Sequence, residues 1–308
     1  MTGDGYMDYT ERYIKYSFKE GRVSYDYKQQ HEAVIMKTYH SIEKGLAKNK
    51  DYRPGFGEKN IRYLIALLKS WADKYDTGNF AYRAALSCIY EYLEKNKRYG
   101  HIDSELEQII NGIPGKSNGC GGSELFNVKR DDEIENFNYK EMVQFRRSIR
   151  QFSKEAVKKE KILKALELAQ SAPSACNRQG WKVRIVQGLV KDKVLENQNG
   201  NKGFGETIDK LLIITMDLRY SNSQREKYQA YIDGGIYAQS LLNALTYYNI
   251  ATVPLSAALT EQQDANVREI ANIDEAEILI LFIGAGNYPD EDIYIPKSTR
   301  RPAKAEII

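Results

Sequence analysis

"SKEAVKKEKILKALELAQSAPSACNRQGWKVRIVQG", residues 153–188, passes from a helical pattern through a loop to a strand, and its reading decides the fold class. Ile162, Leu163, Leu166 and Ala169 form a stripe at helical spacing, Ser153 can cap its start, and Pro173 stops it. "WKVRIVQG" (181–188) is then a short β-branched run that reads as a strand. Downstream, "DKLLIITMDL" (209–218) reads as another strand, and "AEILILFIGAGNYP" (276–289) as a buried strand ending in glycines. Between them "QAYIDGGIYAQSLLNALTYYNI" (229–250) is a long helix. Its Ile236, Leu241, Leu242 and Leu245 make it apolar nearly all round, so it is expected to be central and covered. Helices mixed with few, irregularly spaced strands predict an α+β layer fold and argue against a doubly wound parallel sheet.

Upstream the pattern differs. From about Asp8 to Ile113 it is helical, with Ile61, Leu64, Ile65, Leu68 and Trp71 of "NIRYLIALLKSWADKY" on one buried face. "FAYRAALSCIYEYLEKNK" repeats this with Ala81, Ala84, Ala85, Cys88, Ile89 and Leu93. "NGIPGKSNGCGGSE" (111–124) has five glycines and no periodicity, and is expected to be a linker or exposed loop. Of the 23 tyrosines 14 fall in residues 1–100, which separates this region from the rest. The division expected is a helical extension over 1–135, including the Gly-rich loop 111–124, and a second domain over 136–308.

Composition narrows the function classes. Lys+Arg 45 against Asp+Glu 42 leaves +3, without the global cation excess of a nucleic-acid binder. No uncharged apolar run is long enough to span a membrane, and "MTGDGYMDYTERYIKY" has no apolar signal region, so a cytoplasmic protein is expected. Cys88, Cys120 and Cys176 are odd in number, widely spaced and without a CxxC pair, which suggests reduced thiols. His31, His40 and His101 lack metal-ligand spacing, and no metal is expected.

Three segments could carry chemistry. "VQFRRSIRQF" (143–152) holds Arg146, Arg147, Ser148 and Arg150 between Phe145 and Phe152. If the segment is helical or turns, the guanidiniums converge, and their forks suit phosphate oxygens. A solvated helix end whose cations complement the dipole is the plainer reading. "SAPSACNRQGW" (171–181) combines small residues with two amides, which permits close approach to a flat ligand, or is an ordinary loop. In the tail "IYIPKSTRRPAKAEII", prolines 296 and 302 hold Lys297, Arg300 and Arg301 extended, either towards the same anion or as a solvated basic end.

In their order, "FRRSIRQF", "APSACNRQGW", "DGGIYAQSLLNAL", "ATVPL", "LILFIGAGNYP" and "KSTRRP" resemble the nitroreductase family of FMN-dependent NAD(P)H oxidoreductases, over residues 138–308. "HSIEKGL" (40–46) and "RPGFG" (53–57) look like the helical N-terminal extension of one subgroup. The resemblance implies a three-layer fold with a central mixed or antiparallel sheet flanked by helices, preceded by an all-helical extension. It also implies a homodimer with FMN at the subunit interface. Arg146, Arg147 and Ser148 would meet the phosphate and ribityl chain, and Arg150 the pyrimidine edge, where reduction puts negative charge. Lys297 and Arg300 match C-terminal phosphate contacts. Pro173, Ser174, Ala175, Asn177 and Gln179 match the loop that reaches the flavin from the other subunit. Asn201 and Lys202 of "NGNKGFG" match pyrimidine-edge contacts, and Pro254, Leu255 and Ser256 the backbone near flavin N5. Cys176 is expected as a small buried interface residue.

The chain departs from the family pattern at Ser256 and Ala257, at Gly180 in place of proline, and at Thr299, which looks like an extra tail residue and leaves Arg300 or Arg301 as the phosphate ligand. "GAGNYP" lacks the spacing of a dinucleotide fingerprint. Asp233 reads as an N-terminal or packing feature of its helix. The activity implied is hydride transfer from NADH or NADPH through flavin N5 to an organic acceptor, nitroaromatics or quinones serving as surrogates, with ping-pong kinetics and no protein acid–base dyad. A specialised biosynthetic redox enzyme, a flavin-binding protein with the extension as a lid, and a non-enzymatic adaptor for a phosphorylated partner are the alternatives.

Overall fold

The computed structural model describes residues 21–48, 51–220, 226 and 228–308. The chain divides into two units, Met1–Phe126 with Tyr294–Ile308, and Asn127–Ile293. Residues 127–135 thus go with the second unit and the tail with the first, where composition put the division at 135/136.

In the helical unit, α1 (Lys28–Leu46), α2 (Glu58–Ala72), α3 (Phe80–Arg98) and α4 (Ser104–Asn111) each turn an apolar face inward. Every residue expected on the α2 and α3 faces is buried. Asn79 caps α3 through the Ala81 and Tyr82 N–H groups, and Asp103 caps α4 through Leu106. Of the expected linker or exposed loop at 111–124, residues 111–120 are largely exposed, but its end is packed. Gly121 and Gly122 are buried, and a Cβ on Gly121 would lie 2.0 Å from the Ala84 carbonyl oxygen. The buried Glu43 accepts the Gly122 N–H at 3.1 Å and Glu91 accepts the Ser123 N–H at 2.8 Å. Glycine is therefore used here for close packing, which composition alone does not separate from flexibility. β1 (Ser123–Phe126) then pairs with β6 (Ile293–Pro296).

The second unit has α5 (Asp131–Ile134), α6 (Tyr139–Phe145), α7 (Lys159–Ala169), β2 (Trp181–Gln187), α8 (Gly188–Glu196), β3 (Lys210–Asp217), α9 (Gln229–Tyr247), β4 (Ala251–Ser256), α10 (Glu261–Ala271) and β5 (Glu277–Gly286). The sheet order is β2-β3-β5-β4, and all three pairings are antiparallel. β3 is buried along all eight residues because both faces are covered. Leu212 and Ile214 face α7 and α9 with Ile162, Tyr237, Leu241 and Leu245; Leu211 and Ile213 face Val194, Phe204, Val253 and Val267. The result is the α+β fold expected, a four-stranded antiparallel sheet between helical layers.

Three local expectations are corrected. α7 starts at Lys159 with Lys158 at its cap position, and Ser153 instead accepts the Glu155 N–H. Leu163 is exposed, because Ile162, Ala165 and Ala169 form the inward stripe and Leu163 lies about 100° round the helix from Ile162. α9 is not covered all round in one copy of the chain: Tyr231, Ile232, Ile236 and Tyr247 are exposed.

Candidate functional site

The cation run is extended, not helical. α6 ends at Phe145, since Arg146 (φ −58, ψ 110) leaves the helix. Ser148 then forms a parallel bridge with Thr252, and the Ile149 N–H donates to the Thr252 carbonyl at 2.8 Å. Residues 146–150 therefore run beside β4 on its outer edge, with the arginines half-buried and Ile149 fully buried. The two flanking aromatics fix this path. Phe145 packs on Phe137 and Tyr288 at ring separations of 5.4 and 5.7 Å. Phe152 lies over Gly286, where a Cβ would approach its Cδ1 to 2.7 Å. The Ser153 N–H reaches the Asn287 carbonyl at 3.0 Å. "GAGNYP" thus serves to seat the cation run on the end of β5. Burial pushes the Tyr288 phenol pKa well up, and the Arg146 charge opposes that shift. Arg150 folds back to donate to the Ser148 carbonyl at 3.3 Å.

β4 carries Pro254, half-buried, Leu255, buried, and Ser256, exposed. A proline has no ladder N–H, so it is tolerated on this edge strand. At its end the buried Gln198 donates to the Ser256 carbonyl at 2.9 Å and accepts the Gly200 N–H at 2.7 Å. Asn201 donates to the carbonyls of Leu195 and Gln198 at 2.7 and 2.6 Å, so its amide nitrogen shapes its own loop, while Lys202 is exposed. Ser256 lies four residues past Thr252, about 13 Å along the strand. Residues 146–150, 254–256 and 198–202 are accordingly brought together along one edge of the sheet.

The loop at 173–180 lies elsewhere. Cys176, Asn177 and Gln179 have φ of 50°, 55° and 50°, left-handed values that cost non-glycine residues about 1–2 kcal/mol each. A web of bonds holds them. Ser174 Oγ accepts the Gln179 N–H at 3.0 Å, and Gln179 Nε2 donates to Asn177 Oδ1 at 2.9 Å. Arg178 pairs with Glu226 at 2.9 Å. The buried Asp233 of α9 accepts the Ala175 N–H at 3.2 Å and Gln229 Nε2 at 2.8 Å. Pro173, Cys176, Asn177 and Gln179 are exposed and Ser174 and Ala175 half-buried. Cys176 is therefore not buried within its own chain. Asp233, read from the sequence as an N-terminal or packing feature of its helix, is buried in the early turns of α9, while Gln198 gives no signal in the sequence.

The strand register measures the separation. Trp181, which follows the loop, pairs with Met216 and so with Ile278, whereas Thr252, beside the cation run, pairs with Ala285. Ile278 to Ala285 is about 23 Å along β5, and three strand spacings across the sheet add about 14 Å sideways. In one copy of this unit the loop and the arginines cannot meet a single small ligand. Lys297 and Arg300 belong to the helical unit. There Lys297 donates to the carbonyls of Gly119 and Gly121, Arg301 pairs with Glu32 at 3.1 Å, and the exposed Arg300 donates to the Ser298 carbonyl.

The nitroreductase family model matches residues 143–200. A search of curated proteins finds no match. Among solved structures, the chain is similar to a candidate NADH dehydrogenase/NAD(P)H nitroreductase from Parabacteroides distasonis, at 19% identity over 53% of this chain and 92% of that one, TM-score 0.46. It is similar to a candidate nitroreductase in complex with FMN from Desulfovibrio desulfuricans, at 21% identity over 54% and 94%, TM-score 0.46. A candidate NADH oxidase from Clostridium acetobutylicum has 22% identity over 53% and 94%, TM-score 0.44. The matched stretch, residues 143–200, opens on the cation run and contains the strained loop.

Proposed function

We propose that the protein is an FMN-dependent oxidoreductase that accepts hydride from NADH or NADPH and reduces an organic acceptor, with each flavin held between two copies of the chain. The observation that carries this reading is the bridge of Ser148 to Thr252, which lays Arg146, Arg147 and Arg150 along an outer strand edge that also ends in Pro254, Leu255 and Ser256. The donor set fits FMN: guanidinium forks and a hydroxyl for a phosphate, beside a strand edge that a flat ring can approach. Bound FMN would supply two-electron transfer at N5, which no side chain can perform.

The chain's own groups then have separate tasks. Arg146, Arg147 and Ser148 bind the phosphate and ribityl end, and Arg150 holds a cation at the pyrimidine edge, where it favours the negative charge that reduction brings. Asn201 keeps the 198–202 loop folded, and Lys202 adds a cation to the same edge. Pro173, Ser174, Ala175, Asn177 and Gln179 come from the second copy, because the register keeps them more than 20 Å from the arginines of their own copy. The exposed apolar face of α9 supports this pairing, since it offers Tyr231, Ile232, Ile236 and Tyr247 to a second copy. One flat site used first by the nicotinamide and then by the acceptor gives ping-pong kinetics, with nitroaromatics or quinones as assay acceptors.

The test is a visible spectrum of the purified protein, reconstituted with FMN, before and after anaerobic NADH or NADPH. A flavin band that bleaches with either nicotinamide is expected. Protein that takes up no FMN contradicts the reading, and flavin that stays oxidised with both contradicts the donor.

A further inference from the structure

We propose that Asp233 is a positioning residue that holds the 173–180 loop in its ligand-ready form. This rests on the reading above that the loop meets a flavin.

The carboxylate is buried on α9 and receives the Ala175 N–H at 3.2 and 3.3 Å on its two oxygens, with Gln229 Nε2 on Oδ1 at 2.8 Å. Ala175 begins the short 3₁₀ turn that carries the left-handed Cys176 and Asn177. Ser174 before it is extended, at φ −141° and ψ 162°. The backbone reverses between these residues, and the Ala175–Asp233 bond ties that reversal to a helix. The other bonds of the loop, Ser174 with Gln179 and Gln179 with Asn177, lie within the loop and would move with it. Arg178 with Glu226 and the Gly180 carbonyl with the Asp217 N–H hold only its far end. Without Asp233 the near end has no fixed point on α9, and three left-handed side-chain residues are free to relax to ordinary conformations. A loop that must be ordered at binding weakens the ligand, which is the cost that preorganisation removes.

Asp233→Asn keeps an oxygen acceptor for Ala175 and can accommodate Gln229 by an amide flip, whereas Asp233→Ala removes the acceptor. Hydrogen exchange of the 172–180 segment and the FMN dissociation constant are measured on the full chain. In Asp233→Ala, exchange of the segment speeds up while that of the β3 and β5 strands does not, and FMN binding weakens about tenfold or more. Asp233→Asn stays within about threefold of wild type in both. Unchanged exchange in Asp233→Ala overturns the clamp, and faster exchange with unchanged FMN affinity overturns the positioning role. Equal losses in Asn and Ala variants assign the effect to the charge and also overturn it. If the wild-type protein binds no FMN, the functional reading has failed, the proposed positioning of the loop for a flavin falls with it, and exchange alone decides whether the bond is a clamp. Asp233→Ser, which shortens the acceptor, replaces Asp233→Ala where the latter does not fold.

Discussion

At the residue scale, the arginines are of one type but not of one role. Arg146 lies near a buried phenol and Arg150 curls over the Ser148 carbonyl. In the proposed site Arg150→Ala is expected to leave the fold intact, because the side chain is half-buried and donates to the Ser148 carbonyl of its own segment. It is expected to weaken FMN binding about tenfold or lower its reduction potential, by equilibrium titration and by redox titration. Unchanged values of both would remove Arg150 from the site. Gly286 makes a purely steric prediction. Gly286→Ala puts a Cβ 2.7 Å from Phe152, so it should cost about 1–3 kcal/mol in denaturant unfolding. The cost should shrink in a Phe152→Ala background, where the colliding ring is gone.

Two buried ionisable groups give this scale its pH dependence. Burial alone would raise the Glu277 pKa, but bonds from Arg184, Thr215 and Lys182 outweigh it and lower the value from 4.5 to about 2. A carboxyl depressed on folding stabilises above its unfolded value and loses that contribution as pH falls. The sheet unit should therefore weaken between about pH 4.5 and pH 2, and Glu277→Gln should flatten that slope in acid-unfolding curves. Burial pushes the His31 pKa down and Lys74 adds to this, against the Leu67 carbonyl. Its unfolded form binds the proton more readily, so the helical unit should lose stability as pH falls below 6.5.

At the element scale, the elements readable in the sequence were those with one strong period. α2 and α3 bury the residues their spacing selects, and β3 and β5 lie where unbroken apolar runs place them. β4 was not legible as a strand because Pro254 interrupts it, and only the edge position makes that proline acceptable. α10 has a capping box from Thr260 to Gln263 but buries only Val267, so periodicity gave little to detect. The cation run could be picked out by composition, yet its extended path depends on a pairing with Thr252 more than a hundred residues away. The packed end of the Gly-rich loop is hidden for the same reason. Gly121 faces Ala84 and Gly122 faces Glu91, and no local pattern reveals a distant partner.

At the scale of the whole molecule, the sheet register carries the proposal. It puts two segments of one matched stretch, 143–200, at opposite ends of β5, although only about 25 residues separate them in sequence. A shared ligand then needs two copies of the chain, related so that each lends its loop to the other. The most direct measurement mixes two variants, one with Arg147→Ala and Arg150→Ala, the other with Asn177→Ala and Gln179→Ala, each first shown to bind FMN poorly alone. They are unfolded together, refolded and assayed for bound FMN. Random pairing should restore about a quarter of the sites, since a mixed pair concentrates both lesions in one site and leaves the other intact. No recovery above that of the separate variants, with mixed pairs shown to have formed, would mean that one copy supplies the whole site, and would contradict the account.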